Sequence, residues 1–187
     1  MPGGILVLVV GPSGAGKDTL LRLAREALAG DRRFLFPHRH VTRRSDGHEP
    51  VEERTPESFA REKAAGGYAL SWAAHGQLYG VPRSIETALA RGQVVVVNVS
   101  RSVVGEALAR YPQVMALEVT APTAVLAERL SRRGRETPDD IMARVTRAAP
   151  PLPPDMPVIT IENDAALAMA AERFIAALRQ IAEGTHR

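Results

Sequence analysis

The feature that most constrains the fold is a strand-like segment followed at once by a glycine-rich loop. Residues 5–10 (ILVLVV) are continuously apolar and rich in β-branched side chains, which is typical of a strand buried on both faces of a parallel sheet. Residues 11–17 (GPSGAGK) match the pattern G-x-x-x-x-G-K, and a helical periodicity then runs from residue 17 to about residue 29. Strand, loop and helix together predict a phosphate-binding loop for a nucleoside triphosphate.

The rest of the chain alternates in the same way. Further apolar segments predict strands at 93–99, 113–120 and 157–162, and helical periodicity predicts helices at 84–91, 102–111, 123–133, 140–149 and 165–182. This alternation predicts an α/β fold of the P-loop NTPase type, a three-layer sandwich with a parallel sheet. Residues 37–82 break the pattern as a polar, irregular insert, and 131–140 form a charged loop. The length of 187 residues fits a single domain over residues 1–187.

Composition excludes several classes of function. The chain has no cysteine, so disulfides and thiolate metal sites are excluded, and its five histidines lack a His-x-x-x-His spacing. The net charge of +3 and the eight aromatic residues argue against a nucleic-acid-binding role. We expect a cytoplasmic protein, because the apolar run at 5–10 is too short to span a membrane and lacks the basic n-region and cleavage signature of a signal peptide. The oligomeric state is not indicated.

The residue after the loop lysine departs from the usual pattern. We assign nucleotide binding to Gly11, Pro12, Ser13, Gly14, Ala15, Gly16, Lys17, Asp18 and Thr19, with Lys17 at the β- and γ-phosphates. A serine or threonine usually follows the lysine and binds Mg²⁺, but here the residue is Asp18. Its carboxylate would hold Mg²⁺ directly or through water, or it would only complement the helix dipole. Thr19 is an alternative source of the hydroxyl.

Arginines concentrate around the charged loop. Six of them fall within nineteen residues: Arg129, Arg132, Arg133, Arg135, Arg144 and Arg147. Phosphoryl transfer needs cations around the transferring group, and a closing loop that carries guanidinium groups would supply them and exclude water. The pattern therefore favours an arginine-rich lid at 131–140 over a merely solvated helix-loop-helix. The planar guanidinium of Arg129 is suited to stacking on adenine.

These motifs resemble the guanylate-kinase-like branch of the P-loop nucleoside monophosphate kinases over nearly the whole chain. The matching segments are GPSGAGK at 11–17, Thr42-Arg43, Tyr79-Gly80, ERLSRRGRE at 128–136, and Ile141 with Arg144. The resemblance implies that Arg43 and Tyr79 hold the acceptor phosphate. It also implies that Arg133 and Arg144 act on the transferring phosphoryl group as catalytic residues together with Lys17.

The departures from that branch concern the acceptor. Ser71 stands where guanylate kinases have the glutamate that reads guanine, and Val81 stands in place of a threonine. The acidic Asp-x-Asp at the end of a strand is replaced by Asn98-Val-Ser100, followed by Arg101. The base-reading groups are therefore missing, while the phosphate-reading groups are present.

Those departures match a narrower group, the ribose 1,5-bisphosphate phosphokinases of phosphonate breakdown. The chain is similar to them in GPSGAGKD at 11–18, LSWAAHGQLYGV at 70–81, VNVSR at 97–101, RGRE at 133–136 and END at 162–164. The resemblance implies ATP and Mg²⁺ as cofactors, a small phosphorylated sugar as partner, and 5-phosphoribosyl 1-diphosphate (PRPP) as product.

That acceptor carries a second phosphate and ribose hydroxyls. Arg39 or Arg101 would bind the 5-phosphate, and Asn98 and Ser100 the hydroxyls. The sugar pocket would be lined by Trp72 and His75, with a core anchor as the alternative role of Trp72. Two other functions stay open at this point: a guanylate or other nucleoside monophosphate kinase, and a non-catalytic guanylate-kinase-like binding module.

Overall fold

The computed structural model describes residues 3–42, 50–132, 142, 150–164 and 166–184. The strands are β1 (Leu6–Val10), β2 (Phe34–Leu35), β3 (Arg39–Val41), β4 (Val51–Glu53), β5 (Tyr68–Ala74), β6 (Gln77–Pro82), β7 (Val94–Asn98), β8 (Val114–Thr120) and β9 (Val158–Glu162). The helices are α1 (Lys17–Ala27), α2 (Pro56–Ala64), α3 (Ile85–Ala90), α4 (Val104–Arg110), α5 (Thr123–Arg132) and α6 (Leu167–Gly184), with a 3₁₀ turn at Arg101–Val103.

The main sheet is parallel, and its inner strands β1 and β7 are buried on both faces, as the sequence predicts. Its order is β2-β7-β1-β8-β9, and every neighbouring pair is parallel. Along β1 the side chains alternate between two cores: Val7 and Val9 pack with α1 and α6, whereas Leu6 and Leu8 pack with α3 and α4. Helices on both faces of one sheet confirm the three-layer α/β sandwich. Strand β2 was not predicted, because two residues are too few to produce a pattern.

The prediction that residues 37–82 are irregular is wrong. They contain a second sheet of order β4-β3-β6-β5, in which β3 is antiparallel to β6 and parallel to β4, and helix α2. Thr55 caps α2 by accepting a hydrogen bond from the Ser58 N–H, with Pro56 in the first turn. The short strands carry polar side chains such as Arg39 and His40, so they lack the continuous apolar runs of the main sheet.

Parallel strands place their carboxyl ends at one edge of the main sheet, where ligands bind in open α/β sheets. The glycine-rich loop follows β1, Asn98 ends β7, and Asn163 follows β9. Residues that are far apart in the chain therefore meet around the loop. Within the described residues, no helix is long and apolar enough to cross a membrane.

Candidate active site at the phosphate loop

The glycine-rich loop leaves the N-terminus of α1 open to a ligand. Gly11 has φ 145°, and a Cβ there would lie 2.1 Å from the Val119 carbonyl oxygen of β8, so only glycine lets the chain turn this close to the sheet. At the start of α1 stands Gly16, which has no side chain to cap the helix. The first N–H groups of α1 are thus available to an anion.

Lys17 closes one side of this loop. Its Nζ donates hydrogen bonds to the carbonyl oxygens of Gly11 (2.8 Å) and Pro12 (2.9 Å). The ammonium group therefore lies at the mouth of a cavity of about 100 Å³, lined by Ser13, Gly14, Gly16, Lys17, Asp18, Thr19 and Asn98. The structure brings together in this cavity six of the predicted nucleotide-binding residues that follow Pro12, together with Asn98, which was predicted to bind the acceptor.

Asn163 holds the phosphate loop by a hydrogen bond to its backbone, a role that the sequence analysis did not assign. Its side chain is 1% exposed, and its Nδ2 donates to the Ala15 carbonyl oxygen at 2.7 Å. The Asn163 Oδ1 is buried and has no hydrogen-bond partner among the described residues. Two signals could have found it: its place in the END segment at 162–164, and its position after the carboxyl end of β9, because neighbouring parallel strands end at the same edge.

We expect Gly16→Ala to destabilise the protein by about 1–3 kcal/mol, the range for a strained backbone position. Gly16 has φ 89°, and a Cβ would lie 2.4 Å from the Asn163 Nδ2, which would displace the amide that holds the loop. Gly105→Ala is the control, since a Cβ there meets nothing within 4 Å and alanine favours a helix interior. Urea unfolding of both variants measures the effect; equal stabilities would contradict this account of the loop.

Asp18 and Asn98 are hydrogen bonded to each other. The Asn98 Nδ2 donates to the Asp18 Oδ1 at 2.7 Å across 80 residues of sequence. Asn98 ends β7 and Asp18 lies in the first turn of α1, so both side chains project from regular elements. The carboxylate therefore has a fixed orientation beside the phosphate loop.

A second cavity, of about 300 Å³, lies on the other side of the loop. It is lined by Gly14, Gly16, Thr19, Arg129, Arg132, Asn163 and Leu167. The Arg129 Nη1 is buried, and none of the described residues gives it a hydrogen-bond partner. Arg132 pairs with Glu128 at 2.6 Å on the surface of α5. The cavity thus combines a planar cation with the unpaired amide oxygen of Asn163.

The insert presents a stack of one cation and two rings. The Arg39 guanidinium lies 5.8 Å from the Trp72 ring centroid and 5.4 Å from that of Tyr79, and the two rings stack at 5.4 Å with 8° between their planes. Arg39 is 7% exposed. Trp72 belongs to the core cluster that contains Val10 and Val99, and Tyr79 packs against that cluster. Trp72 is therefore a core anchor as well as a ring in this stack.

The remaining predicted acceptor residues lie in different surroundings. His75 is exposed at the tip of the β5–β6 hairpin, where it has φ 51° and Gly76 has φ 70°, as a type I′ turn requires. Ser100 caps the 3₁₀ turn by accepting from the Ser102 N–H. Arg101 is neutralised by Glu118 and also donates to the Pro150 carbonyl oxygen at 3.1 Å.

Several predicted residues lie outside the described part of the chain. These are Arg43, Arg133 and Arg144, together with residues 133–140 of the predicted lid. Thr42, just before Arg43, is tied to β6, because its Oγ1 accepts from the Leu78 N–H at 2.8 Å.

A buried polar network joins the second sheet to α2. The Glu62 Oε2 accepts from the Tyr68 hydroxyl at 2.7 Å and lies 3.1 Å from the His40 Nδ1. Burial alone would raise the pKa of Glu62, but hydrogen bonds from Tyr68 and His40 outweigh it and hold that pKa below its usual value. Burial and the neighbouring Glu62 carboxylate raise the pKa of Tyr68. The network fixes the sheet that carries the Arg39 stack.

Comparisons with known proteins agree with this geometry. A family model described as an AAA domain matches residues 7–148. The solved guanylate kinase of Anaplasma phagocytophilum superposes with a TM-score of 0.66 at 20% identity, covering 95% of this chain and 85% of that one. The strand order and the phosphate loop together define a P-loop kinase fold.

The relatives in sequence are more specific. The ribose 1,5-bisphosphate phosphokinase of Methylobacterium radiotolerans is 49% identical over 179 residues, which are 96% of this chain and 99% of that protein. The bifunctional ribose 1,5-bisphosphokinase-thymidine phosphorylase of Cupriavidus necator is 46% identical over 94% of this chain and 29% of its own length. The chain belongs to the ribose 1,5-bisphosphate phosphokinase family within the AAA-domain proteins.

Proposed function

We propose that the protein transfers the γ-phosphoryl group of ATP to the 1-phosphate of ribose 1,5-bisphosphate. An oxygen of the 1-phosphate bonds to the γ-phosphorus while the bond from that phosphorus to the β–γ bridging oxygen breaks. The products are 5-phosphoribosyl 1-diphosphate and ADP. The observation that carries the proposal is 49% identity, over nearly the full length of both chains, to a ribose 1,5-bisphosphate phosphokinase.

The donor nucleotide would lie across the two cavities beside the phosphate loop. The N–H groups at the start of α1 and the Lys17 ammonium suit the β- and γ-phosphates. On the other side, the Arg129 guanidinium offers a plane on which adenine can stack. The cavity of about 300 Å³ that Arg129 lines has the volume and the polar groups for a nucleoside.

The donor set of the loop cavity fits a nucleotide-bound Mg²⁺. Asp18 is the one carboxylate among the described residues that line it, and Thr19 adds a hydroxyl. Mg²⁺ commonly keeps several waters and uses one or two carboxylates together with substrate phosphates. Asp18 would hold the ion directly or through water, and the ion when bound would neutralise charge on the β- and γ-oxygens.

The acceptor would bind at the insert. Tyr79 and Arg43 are proposed for the 1-phosphate. For the 5-phosphate we propose Arg39, which lies beside the Trp72 and Tyr79 rings, with Arg101 as the alternative. A guanidinium held beside two rings is preorganised, so less conformational entropy is lost when it binds a phosphate. Contacts of His75 and Ser100 with the sugar stay predictions.

The reaction itself makes few chemical demands on the protein. A phosphate oxygen is already anionic near neutral pH, so the attacking group needs no general base. Positioning and charge neutralisation then account for catalysis. Lys17 and, from the predicted lid, Arg133 and Arg144 would supply positive charge around the transferring group.

Product analysis tests the proposal directly. The protein is incubated with ATP, Mg²⁺ and ribose 1,5-bisphosphate, and the mixture is followed by ³¹P NMR. We expect the acceptor's 1-phosphate signal to be replaced by two coupled diphosphate signals while ADP accumulates. ADP formation without a diphosphate sugar would reject the proposed transfer.

We expect Arg133→Ala and Arg144→Ala each to lower kcat by about 10²–10³-fold, the range for removing one preorganised charge partner of a transition state. Affinity for ATP should change much less. Arg179→Ala is the control, since Arg179 is exposed on α6. Steady-state kinetics separate the parameters, and a loss confined to KM for ATP would assign both residues to ground-state binding.

A further inference from the structure

The Asp18–Asn98 pair is unusually well fixed for two polar side chains. Asn98 is 8% exposed and lies opposite Val9 in the β1–β7 pairing. The next residue, Val99, donates its N–H to the Val9 carbonyl oxygen at 3.1 Å. The Asn98 amide is therefore held by the central sheet, and it reaches the first turn of α1 through one hydrogen bond of 2.7 Å.

This hydrogen bond uses only one of the two oxygens of the Asp18 carboxylate. Oδ1 accepts from the Asn98 Nδ2, whereas Oδ2 makes no hydrogen bond with the described residues. Asp18, Asn98 and Lys17 all line the loop cavity. A neutral amide orients a carboxylate without neutralising its charge. A lysine or arginine at position 98 would neutralise it. The arrangement is that of a cation ligand with its supporting partner.

We propose that Asn98 is a positioning residue that orients the Asp18 carboxylate toward the Mg²⁺ of the bound nucleotide. The proposal rests on the proposed function only as far as the protein binds a nucleotide with Mg²⁺. It differs from the sequence prediction that Asn98 binds ribose hydroxyls, because the Asn98 Nδ2 donates a hydrogen bond to Asp18. The carboxylate that takes the place of the usual loop hydroxyl then depends on a residue 80 positions away.

Calorimetric titration with ADP tests this, in excess Mg²⁺ and in EDTA. The ratio of the two affinities measures the contribution of the metal, and it is compared in the wild type, Asn98→Ala, Asp18→Ala and the double variant. We expect Asn98→Ala to reduce this ratio by about 10-fold or more, the usual effect of losing a partner of a metal ligand. Its affinity in EDTA should stay within about twofold of the wild type. The double variant should match Asp18→Ala, since Asn98 then has nothing to orient.

Electron paramagnetic resonance of Mn²⁺ with ADP gives a readout independent of turnover, and weaker Mn²⁺ binding by Asn98→Ala is expected. Circular dichroism checks folding, and Asn98→Ser serves where the alanine variant does not fold.

An unchanged ratio of the affinities with and without Mg²⁺ overturns the proposal, and so does a wild type in which Mg²⁺ contributes nothing to ADP affinity. Equal losses with and without metal would indicate a purely structural residue. If titration of Asn98→Ala with ribose 1,5-bisphosphate showed a loss of acceptor affinity while the metal ratio was unchanged, the ribose-binding role would replace this assignment.

These outcomes are distinguishable from failure of the proposed function. ADP and metal binding involve no acceptor, so a protein inactive on ribose 1,5-bisphosphate could still show the full Asn98 effect. Conversely, an active enzyme whose metal ratio is unchanged in Asn98→Ala would keep its function and lose this assignment.

Discussion

We expect Lys17→Ala to lower kcat/KM by about 10³-fold or more while the fold is retained. A single preorganised donor at a developing charge contributes about 10²–10³-fold, and a cation at a transferring phosphoryl group contributes up to about 10⁵-fold. The Lys17 Nζ donates hydrogen bonds to the carbonyl oxygens of Gly11 and Pro12, and Lys17 lines the loop cavity. Its side chain belongs to neither hydrophobic core, so its removal should leave packing intact. Turnover and circular dichroism measured together check both statements.

The chain offers an unusually clean control for this experiment, because Lys63 is its one other lysine. It is exposed on α2. Lys63→Ala should keep its activity within about twofold of the wild type, as expected for an exposed position without a special contact. Near-wild-type activity of Lys17→Ala would be incompatible with a phosphate-loop kinase.

The main sheet could be predicted because its inner strands are buried on both faces. Burial of that kind requires continuous apolar segments, and β1 and β7 show them plainly as LVLVV and VVVVN. The second sheet gave no such signal. Strand β3 reads Arg39-His40-Val41, and its polar side chains are satisfied by ring stacking and by the Glu62 network, neither of which is visible in a local pattern.

In the candidate site, too, the local structure could be predicted from the sequence and the long-range contacts could not. A phosphate loop is a local structure, so seven consecutive residues predicted it. The contacts that fix it are not local: Asn98 reaches Asp18 across 80 residues, and Asn163 reaches Ala15 across 148. The sequence named Asn98 as a site residue but did not indicate its hydrogen bond to Asp18, since a side chain at the end of a strand can face either the loop or the acceptor. The pairing of β7 with β1 places this side chain beside the first turn of α1.

The other large effect concerns the acceptor, where we expect kcat/KM for GMP to be at least about 10⁴-fold below that for ribose 1,5-bisphosphate. A mismatch of hydrogen-bond partners between a substrate and a specific site lowers kcat/KM for that substrate by about 10⁴–10⁵-fold. Guanine presents N–H donors that need acceptors. Val81, where guanylate kinases carry a hydroxyl, is fully buried in a core cluster, and Arg39 supplies only donors.

The register of the insert sharpens this expectation. Trp72 pairs with Tyr79, and Ser71 pairs with Gly80, so Ser71 lies on the opposite face from the Arg39 stack. Two anionic phosphates suit that stack better than a base does. The comparison uses equal ATP and Mg²⁺, with both acceptors varied over the same range. Preference for GMP would make the chain a divergent guanylate kinase. Reaction with neither acceptor would favour a binding module in which the phosphate loop holds nucleotide without transferring its phosphoryl group.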